Sequence, residues 1–127
     1  NGLDEVVAKA LDVGIIIVAA AGNHGIDASL VSPAHVPGVI TVGSVGAFRN
    51  SWAVSNFSNR GTMIDIWAPG EDVNSLDPFD LTVSNEMSGT SMAAPHVTGA
   101  VALILASEPQ ATAKRVENIL RQDSKYK

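Results

Sequence analysis

From Ile15 to Ala20 the chain reads Ile-Ile-Ile-Val-Ala-Ala, apolar and mostly β-branched, with no polar residue alternating. A strand with one wetted face alternates. A run without alternation is buried on both faces, as strands inside a parallel sheet are. Just upstream, Leu3, Val6, Val7, Ala10 and Leu11 recur at i, i+3, i+4 and i+7 spacings, which predicts an amphipathic helix from Leu3 to Val13. Asp4 and Glu5 suit its positively polarised first turn, and Gly14 suits its stop. Helix, glycine and buried strand make half of a βαβ unit, so the expected fold class is α/β with a mostly parallel sheet. With 127 residues, 46% of them apolar, the chain can bury a core and reads as one domain, 1–127, with no separate second domain.

Downstream, 21–37 reads as a loop, and Val39 to Val45 as a second buried strand. Residues 48–62 read as polar and irregular. Met63 to Ala68 reads as a third strand, stopped by Pro69 and Gly70. Leu81 to Met87 is a more polar candidate for a fourth. Thr90 to Ser107 predicts a long helix so poor in polar residues that it should be buried on most sides. Pro95 falls early in it, where a missing N–H is best tolerated. Thr112 to Ser124 predicts a last helix, capped by Thr112, with Val116, Ile119 and Leu120 inward and Lys114, Arg115 and Arg121 outward.

Several function classes are excluded early. Eight Lys and Arg against thirteen Asp and Glu give a net charge of −5, and no basic cluster is present, so nucleic acid is not an expected partner. Without Cys there is no disulfide framework, thiolate zinc site or cysteine nucleophile. Apolar runs such as Ile15 to Ala21 are too short to span a bilayer, so no membrane is expected either. No signal-peptide pattern opens the chain, which begins at Asn1 in what already reads as a helix approach. The glycines at 22, 25, 43 and 46 do not complete a dinucleotide fingerprint, and there is no P-loop, so a nucleotide-binding module has little support.

Two constellations look chemical. Gly89-Thr90-Ser91-Met92-Ala93-Ala94-Pro95-His96 places a serine among small residues at the entry to the apolar helix. Thr90 or Ser91 can serve there as a plain N-cap. Ser91 can also be a nucleophile whose helix N-terminus stabilises an oxyanion. Ala19-Ala20-Ala21-Gly22-Asn23 ends the first buried strand, the edge where open α/β sheets bind ligands. Asn23 can be a simple turn residue, or a side-chain donor to developing negative charge.

Together these segments resemble the subtilisin-like serine proteases (subtilases). Ile17-Val18-Ala19-Ala20-Ala21-Gly22-Asn23 is similar to the family's oxyanion-asparagine segment, and Gly89 to Val97 to its nucleophile motif. Phe57-Ser58-Asn59-Arg60-Gly61 and Asp65-Ile66-Trp67-Ala68-Pro69-Gly70 resemble the stretch between them. The resemblance implies the C-terminal portion of a three-layer subtilisin-like fold. It implies a serine endopeptidase with Ser91 as nucleophile, and Asn23 and the Ser91 N–H as oxyanion donors. Ala20, Ala21 and Gly22 would form one wall of the pocket for the residue before the scissile bond. Met92 would lie beside the reaction centre, where oxidation to the sulfoxide would impair turnover. Asp65 would be a calcium-binding carboxylate with the carbonyls of Pro37 and Val39, although by the residues alone it reads at least as well as an N-cap or a surface charge. Calcium would then be a structural ion, with no cofactor required for the chemistry.

A triad also needs an Asp and a His, in the family order Asp, His, Ser. No Asp-Thr-Gly, Asp-Ser-Gly or His-Gly-Thr segment occurs in the chain. His96, five residues after Ser91, is expected to be a buried, hydrogen-bonded packing residue, because a spacing of five separates side chains around a helix. His24 and His35 are expected at the surface, none of the three with an orienting carboxylate. The expected partner is therefore an N-terminal part of the same protease carrying Asp and His, with peptides or proteins as substrate. Secretion is implied by the resemblance alone. The alternative is a non-catalytic module or an inactive fragment with the same fold.

Overall fold

A computed structural model of the chain describes residues 1–124. Helix α1 (Gly2–Asp12) opens on a capping box: the Asn1 side chain accepts from the Asp4 N–H at 3.0 Å, while the Asp4 side chain reaches back to the Asn1 amine. Gly14, at φ 88°, ends it in a conformation that costs glycine least. Strand β1 (Val18–Ala20) then enters the sheet, and the Ile17 carbonyl already accepts from the Ile40 N–H.

Strand β2 (Ile40–Phe48) is the axis of the fold. It pairs in parallel with β1 (Val18 opposite Ile40) and with β4 (Ile66–Pro69; Val42 opposite Ile66). The parallel core of the sheet bears out the α/β expectation. One face packs on α1 through Val7, Ala19, Val36 and Val39. The other packs on helix α2 (Thr90–Ser107) through Ile40, Val42, Ala68, Ala93, Val97 and Val101. Helix α3 (Ala113–Asp123) joins that second layer, with Val116 fully buried and Lys114, Arg115 and Arg121 outside. Thr112 caps it as expected, accepting from the Arg115 N–H at 3.2 Å.

Three expectations need correction. The stretch 48–62 is not wholly irregular: β2 continues to Phe48, turns at Arg49 and Asn50, and pairs antiparallel with β3 (Ser51–Val54). All four β3 residues are exposed, so they carry no burial pattern by which to be read. The polar strand is also half of a hairpin, β5 (Val73–Leu76) with β6 (Ser84–Met87). Finally, α2 is not buried on most sides. Thr90, Ala93, Val97 and Val101 are buried along one face, whereas Leu103 is 74% exposed. By length and composition alone α2 is long and apolar enough to cross a membrane, a test that the core helix of a folded domain passes as well. In this fold its buried stripe packs on the sheet.

Candidate active site

The carboxyl ends of β1 and β4, beside Ser44 and Val45 of β2, meet the N-terminus of α2, and there the structure brings Asn23 and Ser91 together. Asn23 follows β1, and its side-chain oxygen accepts from the Thr90 N–H and from the Thr90 hydroxyl, each at 2.8 Å. The same hydroxyl accepts from the Gly22 N–H at 3.2 Å. With its oxygen spent on Thr90, the Asn23 amide must turn Nδ2 the other way. A Cβ built on Gly89 would lie 3.8 Å from that Nδ2 and 3.7 Å from the Ser91 amide nitrogen. Two N–H donors on segments far apart in sequence therefore border one point. Neither has an acceptor among the described residues.

The plain N-cap reading of this segment fails. Gly89 is the N-cap and there is no side-chain cap hydrogen bond. Thr90 is fully buried and clamps Asn23 instead, a role the sequence reading missed by treating it as a cap. Ser91 is exposed, and its hydroxyl has no partner among the described residues. Beside it lies a cavity of about 340 Å³ between α2 and β5, lined by Val73, Asn74, Ser75, Met92, Pro95 and His96. The Met92 sulfur lies 3.6 Å from the same Gly89 Cβ point, so it borders the serine and the two donors.

Of the expected pocket wall, Ala20 and Gly22 are half-buried and Ala21 is fully buried. Ala21 thus spends its methyl in the core and could present only backbone. His96 is exposed, which corrects the expectation of a buried residue, because the face of α2 that carries it is uncovered. Its Nδ1 lies 2.8 Å from the Met92 carbonyl, one turn back, so the hydrogen bond is there. His24 is exposed, as expected. His35 is half-buried and does have a carboxylate, Asp4 Oδ2, 3.0 Å from its Nε2. That carboxylate is drawn below its ordinary value by hydrogen bonds from Ser32 and then His35. The pair sits between α1 and the loop entering β2, on the face of the sheet that α1 covers, whereas Ser91 opens the helix on the other face.

Asp65 precedes β4, and both its carboxylate oxygens have donors: the Thr41 N–H at 2.8 Å and Arg121 Nη2 at 2.8 Å. Burial nevertheless pushes its pKa above the ordinary value. The Pro37 and Val39 carbonyls accept no hydrogen bond among the described residues. These groups suit a hard cation in part. The free carbonyls fit one, but the carboxylate is already neutralised by Arg121. No group of three or more His, Cys, Asp or Glu that could hold a metal occurs among the described residues.

A parallel-sheet α/β fold with a serine at a helix N-terminus, and an asparagine amide beside it, defines a class of hydrolase-like sites. The family can be named outright: the chain belongs to the subtilase family, whose model matches residues 1–127. It is 44% identical over 120 residues to an extracellular serine proteinase of Thermus sp., covering 94% of this chain and 28% of that protein. It is 43% identical over 114 residues to alkaline protease 1 of Aspergillus clavatus, covering 87% of this chain and again 28% of the relative. The crystal structure of a cold-adapted subtilisin-like serine proteinase superposes with a TM-score of 0.85 at 38% identity, over 94% of this chain and 42% of that one. The chain thus spans under a third of the length of these curated relatives.

Proposed function

We propose that this chain is the nucleophile-bearing segment of a secreted serine endopeptidase. In this reading, Ser91 Oγ attacks a peptide carbonyl after losing its proton to a histidine. The Asn23 amide and the Ser91 N–H hold the resulting oxyanion; as it collapses the C–N bond breaks, the histidine gives its proton to the leaving amine, and water then releases the acyl-enzyme. The convergence of those two unspent donors beside an unpartnered serine hydroxyl is the observation that carries this reading. A donor aimed at charge that exists only in the transition state favours that state over the bound substrate. Secretion is supported by the relatives, one of them an extracellular serine proteinase.

The base and its orienting carboxylate are proposed to come from an N-terminal part of the same protease. The histidines support this: His96 is tied to the Met92 carbonyl, and His35 to Asp4 of α1, on the other face of the sheet from α2. The same observation supports a second reading, in which the chain by itself is an inactive fragment or a non-catalytic module. Calcium belongs to the proposal as a structural ion at Asp65, Pro37 and Val39. Arg121 would have to leave Asp65 for Glu117, with which it already makes a 2.9 Å bond.

A fluorophosphonate probe separates the two readings, because it labels an activated serine and passes over an ordinary one. Labelling at Ser91 in the native sample, located by mass spectrometry, is the expected result if the base-bearing part is bound. A folded sample that stays unlabelled would favour the inactive reading.

A further inference from the structure

Asn59 takes no part in the chemistry just described, yet its side chain is fully buried and all its hydrogen bonds go to one loop. Its Nδ2 donates to the Ala21 carbonyl at 2.8 Å. Its Oδ1 accepts from the His24 N–H at 3.0 Å and from the Ile26 N–H at 3.1 Å. The backbone adds a fourth tie, from the Asn59 N–H to the Gly22 carbonyl at 2.9 Å. These contacts fall on both sides of Asn23 and skip Asn23 itself. A loop of 21–26 with no such fork would have to leave Ala21, His24 and Ile26 to water, and could then drift.

Gly22 fits the same picture. Its φ of 102° is a conformation glycine tolerates, and a Cβ there would collide with Asn59 Nδ2. The neighbouring polar groups hold Asn59 in turn. Ser58 Oγ donates to the Asn59 carbonyl at 3.0 Å and accepts from the Ser44 N–H of β2 at 3.0 Å. The Ser44 and Ser55 hydroxyls are 2.7 Å apart, and all four residues are buried. Buried polar networks of this kind, fully satisfied, hold one arrangement because any other leaves a group unpaired.

We propose that Asn59 is a positioning residue: it fixes the 21–26 loop to the sheet so that the Asn23 amide stays aimed at the oxyanion. This rests on the protease reading above. Thr90 fixes the rotation of the Asn23 side chain, and Asn59 fixes the backbone that carries it. A shift of about 1 Å in a preorganised donor is enough to cost on the order of a hundredfold in rate.

The test is a double-mutant cycle in the full protease containing this segment, with kcat and KM measured separately. Measurable turnover by the unmutated protease establishes the reading on which the proposal depends, and its absence would overturn that reading first. Asn59→Ala is then expected to lower kcat by about tenfold or more with KM changed less than about threefold. In an Asn23→Ala background the same substitution should lower kcat by less than about twofold, because there is no longer an amide to aim. An equal loss in both backgrounds would make Asn59 a general stability residue and overturn the proposal, as would an unchanged kcat. Asn59→Asp has the same size and keeps the acceptor for His24 and Ile26. It is the variant to use if the alanine form does not fold, and the same dependence on Asn23 decides the matter.

Discussion

At the scale of single residues, the clearest consequence concerns Asn23. Its Oδ1 is committed to Thr90 and its Nδ2 to nothing among the described residues. Replacement by leucine keeps the bulk and deletes both. Turnover should fall about a hundred- to a thousandfold, with substrate affinity less affected. That range was measured on subtilisin itself and is carried over to its relative here, not obtained from this geometry. Steady-state kinetics of Asn23→Leu in the assembled protease would check it, and an unchanged kcat would remove Asn23 from the mechanism. That Ser91 and Asn23 would meet was legible from their flanks. Thr90 and Asn59 were not, because a buried threonine clamp and a buried asparagine fork look, in sequence, like a helix cap and a loop residue.

At the scale of elements, α3 is moored to the sheet by Arg121, which bonds Asp65 in front of β4 and Glu117 on its own helix. Burial is the main reason why the Asp65 carboxyl holds its proton above the ordinary value of 3.8. Glu117 acts in the same direction, and the Thr41 N–H and Arg121 act against it. A carboxyl with a raised folded-state pKa adds stability that is complete below its unfolded value and is lost as pH rises through the folded one. Thermal melts between about pH 3 and 6 should therefore show Asp65 eroding stability as pH climbs. Asp65→Asn should flatten that slope, and Arg121→Ala should extend it to higher pH. A slope unchanged in both variants would show that other groups set it. The helices were legible nearly to the residue, α1 and α3 by their periodicity and α2 by its long run of small and apolar residues. The two hairpins were not, since β3 and β6 are exposed throughout and owe their conformation to cross-strand pairing.

At the scale of the whole molecule, the apolar content of α2 signalled burial that this chain supplies on one face only. Leu103 is 74% exposed, Leu3 and Val6 on α1 are 53% and 64% exposed, and Ile15 at the mouth of β1 is 54% exposed. Apolar surface of this kind marks a contact face. If an N-terminal part completes the protease, it should cover α2. A dye that fluoresces on apolar surface should then bind this chain alone and be released when that part is added, in step with the appearance of proteolysis. Dye release without activity would separate docking from catalysis.

The contacts that aim the two donors also decide when in folding they appear. Thr90 meets Gly22 and Asn23 across 68 and 67 positions of chain, and Asn59 meets its loop across 33 to 38. No local segment can assemble the pair. Both long loops must close, and the entropy of each closure is spent before the contacts it brings can reward it. The proposed grip on an oxyanion is therefore acquired with the global fold, never with a helix or hairpin alone. On the protease reading, a chain that would cut polypeptides is thus without its cutting edge for as long as it is itself an unfolded polypeptide.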